Sequence, residues 1–176
     1  MTNEELKKAV RNIPDFPIPG IQFKDVTTLF QDADRLASLK KNITDLYKNK
    51  GITKVVGIES RGFILGPIVA VDLNAGFVPI RKPGKLPYSV IEESYEKEYG
   101  TDTIQIHTDS LCENDTVLLH DDLLATGGTM AAAYKLVKKM GVKKIYVNFI
   151  IELEDLKGRD LFPTKVEITS LIQYPI

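Results

Sequence analysis

Two adjacent acids, Asp121 and Asp122, close an apolar run and are followed by small, hydroxyl-bearing residues in the stretch VLLHDDLLATGGT. Carboxylates accept hydrogen bonds from sugar hydroxyls, and free backbone amides at the start of a helix favour a phosphate group. We expect the phosphate to be held by Ala125, Thr126, Gly127, Gly128 and Thr129. A ligand that carries both hydroxyls and a phosphate, such as a ribose 5-phosphate, fits this pattern.

The same stretch also fits a plain strand-to-helix turn whose acids only cap the helix, since glycine-rich turns are common. It is not a Walker A loop, because no Gly-Lys-Ser or Gly-Lys-Thr follows the glycines.

Patterns typical of strands and helices alternate over most of the chain and would position these residues. Apolar runs predict strands at KVVGIES, FVPIRK, DTVLLHDD, KKIYVNFIIEL and VEITSLI, with helices between most of them. Such alternation predicts an α/β fold with a central, mostly parallel, twisted sheet flanked by helices, and ligands at the carboxyl ends of its strands. We expect the chain to turn at the paired acids, so that both can approach a ligand.

The N-terminal third has helical patterns separated by a proline-rich break. A first helix begins near Thr2, with Leu6, Val10 and Ile13 spaced for one buried stripe, and PDFPIPG ends it. A longer helix covers DADRLASLKKNITDLYKNKG, with Gly51 as its C-terminal cap. Its predicted buried face comprises Leu36, Leu39, Ile43, Leu46 and Tyr47.

One region, KPGKLPYSVIEESYEKEYGTDTIQIHTDS, departs from this alternation. Its partial period-2 patterning predicts a β-hairpin. The hairpin could be an ordinary sheet edge, or a mobile lid over an anionic ligand, which the lysines in its first half favour.

Composition indicates an ordinary globular chain of 176 residues, with 43% hydrophobic and 27% charged residues, which fits a single domain. The formal net charge of -1 gives no overall attraction to nucleic acid or to anionic lipid. Cys112 is the only cysteine, so an intramolecular disulfide and a thiolate metal cluster are excluded. The apolar runs are too short for a signal peptide or a membrane span, and we expect a cytoplasmic protein.

Positions 117–129 resemble the phosphoribosyl pyrophosphate motif of the type I phosphoribosyltransferases. Further stretches are similar to the adenine-specific members of that family, namely PDFPIPGIQFKDVTTLF, GIESRGFILGP, IRKPGKLP, ESYEKEYG and IIELEDLKGR. The resemblance implies one domain over residues 1–176, with a base-binding hood at about residues 1–30 and a flexible β-hairpin lid at about residues 82–107.

The resemblance also implies an enzyme of purine salvage. It would transfer the 5-phosphoribosyl group from phosphoribosyl pyrophosphate to N9 of adenine, giving AMP and pyrophosphate. Mg²⁺ would be carried by the pyrophosphate substrate, with no direct protein ligand. The implied partners are these small molecules and a second copy of the chain in a homodimer, with neither nucleic acid nor membrane.

The resemblance implies that pyrophosphate is bound by two segments. They are the loop after the strand KVVGI and the basic segment at the end of the next predicted strand, FVPIRK. The residues are Glu59, Ser60, Arg61, Arg81, Lys82 and Lys85. Arg61 is also a candidate catalytic residue, because its planar fork suits a departing multi-oxygen anion. The family often has a cis peptide bond in this loop, which here would join Glu59 to Ser60. Without the resemblance, the cations would be read as a solvated surface.

For the base, the resemblance implies that Phe23 and Leu153 sandwich adenine, while backbone groups of Gln22 and Lys24 read its edge. Many relatives have Arg at position 24 and an apolar residue at position 22. Core packing is the ordinary alternative for Phe23 and Leu153.

The hairpin would contribute Glu98 as catalytic acid or base, and Tyr99 would dock the closed lid. A lid glutamate is otherwise only a solubilising charge.

Strand alternation places His120 on the opposite face from Asp121, which favours a structural histidine over a catalytic one. His107 and Cys112 receive no role. Two alternative functions stay open, a 6-oxopurine phosphoribosyltransferase and a non-catalytic regulator that senses phosphoribosyl pyrophosphate. The near-neutral charge disfavours a regulator that binds nucleic acid.

Overall fold

The computed structural model describes residues 1–97 and 100–175. Its helices and strands are, in chain order, α1 (Asn3–Ala9), β1 (Arg11–Pro14), β2 (Gln22–Asp25), α2 (Thr27–Phe30), α3 (Ala33–Tyr47), β3 (Lys54–Ile58), α4 (Gly62–Asp72), β4 (Gly76–Ile80), β5 (Val90–Glu96), β6 (Thr101–His107), β7 (Thr116–Leu124), α5 (Gly128–Lys139), β8 (Lys144–Leu153) and β9 (Glu167–Tyr174). Two short 3₁₀ helices, Glu154–Leu156 and Gly158–Leu161, lie between β8 and β9.

Five strands form a parallel central sheet in the order β4-β3-β7-β8-β9. Strands β3, β7 and β8 are buried over most of their length, which explains their nearly continuous apolar sequences. The predicted α/β fold with helices around a parallel sheet is therefore confirmed.

The strand order reverses between β3 and β7. From β3 the chain crosses to β4 on one side, and it later returns to β7 on the other side. In open α/β sheets, a crevice forms outside the carboxyl ends of the two strands at such a reversal. Here those ends carry Glu59 to Arg61 and the paired acids Asp121 and Asp122.

Two apolar layers cover the two faces of the sheet. One includes the inward side of α5, with Met130 and Leu136, packed against β7 and β8. The other includes α1, α3 and α4, with Leu39 and Leu65 among its fully buried side chains. The regular alternation of predicted strands and helices thus gives a sheet between two layers.

Two further two-stranded sheets lie beside the central one, and an isolated antiparallel bridge between Arg81 and Gln105 links the hairpin to the end of β4. Strands β1 and β2 pair antiparallel within residues 1–30, and β5 and β6 form the predicted hairpin within residues 82–107. The hairpin register sets Tyr95 opposite Asp102. The extents assigned to the hood and the lid remain predictions.

The structure corrects several local expectations. Helix α1 ends at Ala9, so that Ile13 lies in β1 and not on a helical stripe. On α3, Leu46 is 43% exposed although its spacing predicted burial, and Gly51 follows the helix in a turn with φ of 68°. The segment between β8 and β9 forms 3₁₀ helices instead of the predicted helix. These short segments have only local patterning, which packing overrides.

Candidate active site

The paired acids lie within β7, which continues to Leu124 and does not turn at the acids as we expected. Asp122 is 4% exposed, and its carboxylate lies 2.5 Å from Nε of Arg61. The Asp122 amide donates a hydrogen bond of 2.9 Å to Oδ1 of Asp121. Burial, and next the charge of Asp122, raise the pKa of Asp121 well above its usual range. The pair therefore joins an ion-paired carboxylate to one that retains its proton to a higher pH than an ordinary aspartate.

The predicted phosphate-binding loop follows directly and leads into α5. Gly127 has φ of 86°, which a residue with a side chain adopts only with strain, and it precedes the first residue of the helix. No side chain caps the N-terminus of α5, so its first amides remain available to a ligand. A cavity of about 190 Å³ is lined by Arg61, by both acids and by the loop residues Ala125, Thr126, Gly127, Gly128 and Thr129.

The loop after β3 reaches the same crevice from the neighbouring strand. A cis peptide bond joins Glu59 to Ser60, where the resemblance implied one. Ser60 and Arg61 are exposed, and Arg61 leads into α4, whose N-terminus also lacks a side-chain cap. Amides and a guanidinium thus face the open side of this edge, an arrangement suited to an anion.

Glu59 organises the basic segment after β4. Its carboxylate accepts hydrogen bonds from Nε of Arg81 at 3.2 Å and from the Lys82 amide at 2.9 Å. The Lys82 amide and the Arg81 guanidinium lower the pKa of Glu59. Glu59 therefore acts on Arg81 and Lys82 as an anion that fixes their position.

The cations of that segment differ in their surroundings. The Lys82 ammonium forms an ion pair with Asp102 of the hairpin, while Arg81 pairs with Glu59. Lys85 is exposed, and its carbonyl accepts a hydrogen bond of 3.5 Å from Arg81. Of these three, Lys85 presents its side chain most openly to solvent.

The residues predicted to bind the base lie on two elements. Phe23 on β2 is half-buried and stacks edge-on against Phe16, with ring centroids 5.2 Å apart. Leu153, the last residue of β8, packs against the core layer that contains α1, α3 and α4. The sandwich of adenine between Phe23 and Leu153 therefore stays a prediction.

The side chains next to Phe23 are engaged within the hood. Lys24 donates a hydrogen bond of 2.9 Å to Asn12, and its ammonium lies 4.6 Å from the centroid of the Tyr174 ring. The exposed Gln22 accepts a hydrogen bond of 2.7 Å from Asn12. Because β2 pairs only with β1 among the described strands, backbone groups on its other edge remain for a ligand.

The charge of Arg61 in the crevice acts on Asp25, at the end of β2. The Thr27 hydroxyl is the main cause of the lowered pKa of Asp25, the last residue of β2, and Arg11 and Arg61 contribute smaller charge effects. Arg61 thus pairs with Asp122 of β7 and also acts by its charge on Asp25 at the end of β2.

The predicted roles of Glu98 and Tyr99 lie outside the described residues. The structure adds two hairpin residues that the sequence did not single out. Tyr95 accepts a hydrogen bond of 2.9 Å from the Thr129 hydroxyl, and Asp102 binds Lys82. Only the cross-strand register of the hairpin could have indicated that Tyr95 and Asp102 meet.

His120 has the structural surroundings expected for it. The ring is buried, and its Nδ1 lies 2.9 Å from Oδ1 of Asn148, so that Nδ1 is the protonated nitrogen. Burial lowers the pKa of His120 to about 4, and the bond to Asn148 only partly opposes this. His120 is therefore neutral at pH 7.

Residues 1–97 and 100–175 contain neither a membrane-spanning helix nor a cluster of side chains suited to a metal ion. None of their helices combines the length and the apolar character required to cross a bilayer. Within the same ranges, no three His, Cys, Asp or Glu side chains are grouped so as to hold a metal ion.

Comparison with known proteins agrees with this geometry. The phosphoribosyl transferase domain matches residues 22–166. The adenine phosphoribosyltransferase of Bacteroides thetaiotaomicron is 68% identical over 98% of each chain. The crystal structure of adenine phosphoribosyltransferase from Rhodothermus marinus is 49% identical over 98% of each chain, with a TM-score of 0.91.

The enzyme from Saccharomyces cerevisiae, solved with adenine and an imino-altritol bisphosphate, is 37% identical with a TM-score of 0.90, over 96% of this chain and 97% of that one. Sequence and structure agree over nearly the whole length of these relatives. The chain belongs to the phosphoribosyltransferase family, among the adenine phosphoribosyltransferases.

Proposed function

We propose that the chain transfers the 5-phosphoribosyl group from phosphoribosyl pyrophosphate to N9 of adenine, forming AMP and pyrophosphate in purine salvage. The observation that carries this proposal is the crevice between β3 and β7. There Arg61, two carboxylates and the uncapped N-terminus of α5 line one cavity. Such a site matches a ligand with an anion at each end and hydroxyls between them.

The ribose and its 5-phosphate occupy the β7 side of the crevice in this proposal. Asp121 and Asp122 accept hydrogen bonds from the ribose hydroxyls, and the amides of residues 125–129 surround the phosphate. As the bond from C1 to pyrophosphate breaks, positive charge develops on the ribose ring. The nearby Asp122 carboxylate stabilises that charge, which lowers the barrier.

The pyrophosphate leaves toward the β3 side. The amides after the Glu59–Ser60 bond and the Arg61 guanidinium neutralise the developing negative charge. Arg81, Lys82 and Lys85 add cations from the next segment. Closure of the hairpin lid excludes water, which otherwise competes with adenine for the activated ribose.

Adenine lies between Phe23 and Leu153, and backbone groups of Gln22 and Lys24 recognise its edge. Support comes from the unpaired edge of β2 and from the engagement of the Lys24 side chain with Asn12. Glu98 manages the proton on the imidazole ring of adenine as N9 attacks, and Tyr99 docks the closed lid.

Mg²⁺ enters with phosphoribosyl pyrophosphate, held by the phosphate oxygens that this hard cation prefers. We place the reaction in the cytoplasm, since the single, exposed Cys112 fits a reducing compartment.

We also propose a homodimer. Support comes from α4, on which Ile64, Ile68 and Val71 expose apolar side chains at helical spacing, and Val71 is 81% exposed. Sedimentation at micromolar concentration tests this proposal. Ile68→Glu is expected to yield monomers, whereas the exposed Leu161→Glu on a 3₁₀ helix is the control and should leave the dimer intact.

The experiment for the activity supplies purified chain with phosphoribosyl pyrophosphate, Mg²⁺ and one base at a time. We expect AMP and pyrophosphate with adenine, and at most traces of product with hypoxanthine, guanine, xanthine or orotate. Turnover of hypoxanthine or guanine in preference to adenine would instead support a 6-oxopurine enzyme. Binding of the sugar phosphate without pyrophosphate release in the presence of adenine would support a regulator.

A further inference from the structure

Asp102, at the second position of β6, gathers polar groups from two parts of the chain. Its carboxylate forms ion pairs with the ammonium groups of Lys82 and, at 2.5 Å, Lys97. It also accepts a hydrogen bond of 3.2 Å from the Tyr95 hydroxyl. The Asp102 side chain is only 19% exposed, so these contacts replace most of its hydration. Lys82 belongs to the segment after β4, whereas the other partners belong to the hairpin.

Tyr95 extends this cluster to the phosphate-binding loop. Its hydroxyl donates to Asp102 and accepts a hydrogen bond of 2.9 Å from the Thr129 hydroxyl. Its ring lies against Gly128, where a β-carbon would be 3.4 Å from Cδ2 of Tyr95. Residues 95 and 102 face each other across the hairpin, so the two contacts form as one unit.

The two ends of this unit are held by groups that the proposed function assigns to the substrate. Lys82 is assigned to pyrophosphate and Thr129 to the 5-phosphate. A carboxylate beside the Lys82 ammonium repels a second anion that approaches the same cation. A Thr129 hydroxyl that donates to Tyr95 cannot donate the same hydrogen to a phosphate oxygen.

We propose that Asp102 and Tyr95 form a latch which occupies Lys82 and Thr129 in place of the oxygens of the substrate. Binding of phosphoribosyl pyrophosphate displaces both contacts, after which Asp102 keeps Lys97 as its counter-ion. Asp102 and Tyr95 are therefore positioning residues that set the substrate affinity, while the groups that contact the substrate are Lys82 and Thr129. The inference rests on the proposed function, from which it takes the roles of those two residues.

Isothermal titration of the full chain with phosphoribosyl pyrophosphate and Mg²⁺ tests the latch, because this ligand carries both the pyrophosphate assigned to Lys82 and the 5-phosphate assigned to Thr129. Asp102→Asn weakens the hold on Lys82, and Tyr95→Phe removes the link to Thr129 without changing any charge. We expect each variant to bind phosphoribosyl pyrophosphate about two- to fivefold more tightly than the wild type, the range for loss of one partly exposed polar contact. The control, Asp109→Asn, removes the same charge from the exposed turn after β6 and should bind as the wild type does.

A thermal melt of each variant is recorded first. If Asp102→Asn does not fold, Asp102→Glu replaces it. Because Asp102→Glu retains the charge, it should bind the substrate as the wild type does. Unchanged or weaker binding in Tyr95→Phe overturns the latch, even if Asp102→Asn binds more tightly, because a charge effect alone then suffices. Equal gains in substrate affinity in Asp102→Asn and Asp109→Asn would also overturn the latch.

The activity assay separates the latch from the proposed function. If the wild type makes AMP while the variants bind phosphoribosyl pyrophosphate no more tightly, only the latch is contradicted. If the wild type makes no AMP, the proposed function is contradicted. If the wild type does not bind phosphoribosyl pyrophosphate, the latch and the proposed function are both contradicted.

Discussion

Gly127 in the loop between β7 and α5 lies directly against the backbone of Gly158, since a β-carbon on Gly127 would be 2.5 Å from the Gly158 carbonyl oxygen. The contact is reciprocal, because a β-carbon on Gly158 would be 2.5 Å from the carbonyl oxygen of Ala125. Both neighbours are backbone atoms, which cannot rotate away. The 3₁₀ helix that begins at Gly158 therefore supports the loop that the proposed function assigns to the phosphate.

Gly158→Ala is expected to displace this loop and raise the KM for phosphoribosyl pyrophosphate by about tenfold, with a smaller effect on the KM for adenine. Overpacking of this kind costs about 1–3 kcal/mol. Steady-state kinetics with each substrate varied in turn provides the measurement. Gly76→Ala is the control, because its β-carbon would meet only the flexible side chain of Lys54. Equal KM values in Gly158→Ala and the wild type would contradict the supporting role.

Arg61→Lys is expected to lower kcat by about a hundredfold, a loss typical for removing a positioned donor from a developing anion. Lysine keeps the charge but loses the planar fork that can contact Asp122 and the departing pyrophosphate together. Rapid-quench measurement of AMP formation gives the rate of the chemical step. The control is Arg35→Lys on α3, whose guanidinium donates to the Thr28 carbonyl, and its rate should match the wild type. An unchanged rate of AMP formation in Arg61→Lys would contradict the role assigned to the planar guanidinium group.

Asp121→Asn is expected to raise the melting temperature at pH 7 and to weaken binding of phosphoribosyl pyrophosphate. The folded-state pKa of Asp121 is raised, so this group contributes stability at low pH that is lost as pH rises through the folded pKa. The amide carries no charge and avoids that loss. Differential scanning calorimetry from pH 5 to pH 8 should show the advantage of Asp121→Asn growing with pH. A constant difference, or a lower melting temperature at pH 7, would contradict the assigned direction.

His120 is expected to destabilise the fold as the solution becomes acidic. Its pKa is about 4 in the folded chain and about 6.5 when unfolded, so between these values the unfolded state binds more protons. The free energy of unfolding should fall progressively below about pH 6.5, by at most about 3 kcal/mol from this group. Above that range the residue is neutral in both states and adds no pH dependence.

Urea unfolding of His120→Val at pH 7.5 and pH 5 measures this effect. The difference in unfolding free energy between the two pH values should be smaller in the variant than in the wild type, even if loss of the bond to Asn148 makes the variant less stable overall. The same pH dependence in His120→Val would show that other groups cause it.

The central sheet and the crevice could be predicted because their signals are local. The buried strands are short apolar runs, and the acids of β7 and residues 125–129 are contiguous, so neither requires a distant contact to be recognised. The exposure of Leu46 was not predictable in the same way. Helical spacing gives a face, but the neighbouring elements decide how far that face is covered.

Contacts that depend on strand register, or on the approach of distant backbone segments, could not be predicted from the sequence. Tyr95 opposes Asp102 only because the hairpin register pairs them, and a shift of one residue would direct each to the other face. Gly158 matters because its backbone approaches Gly127, about thirty positions earlier in the chain. The continuation of β7 through its acids depends on β8, which supplies the partners of Leu123 and Leu124.

The ribbon formed by β1 and β2 has a ladder of its own, outside the ladder that fixes the acids of β7. Substitutions in that ribbon can therefore accumulate without changing the alignment of the five parallel strands. Under the proposed function, such a division allows the nucleobase preference to change while the strands assigned to the activated sugar keep their arrangement.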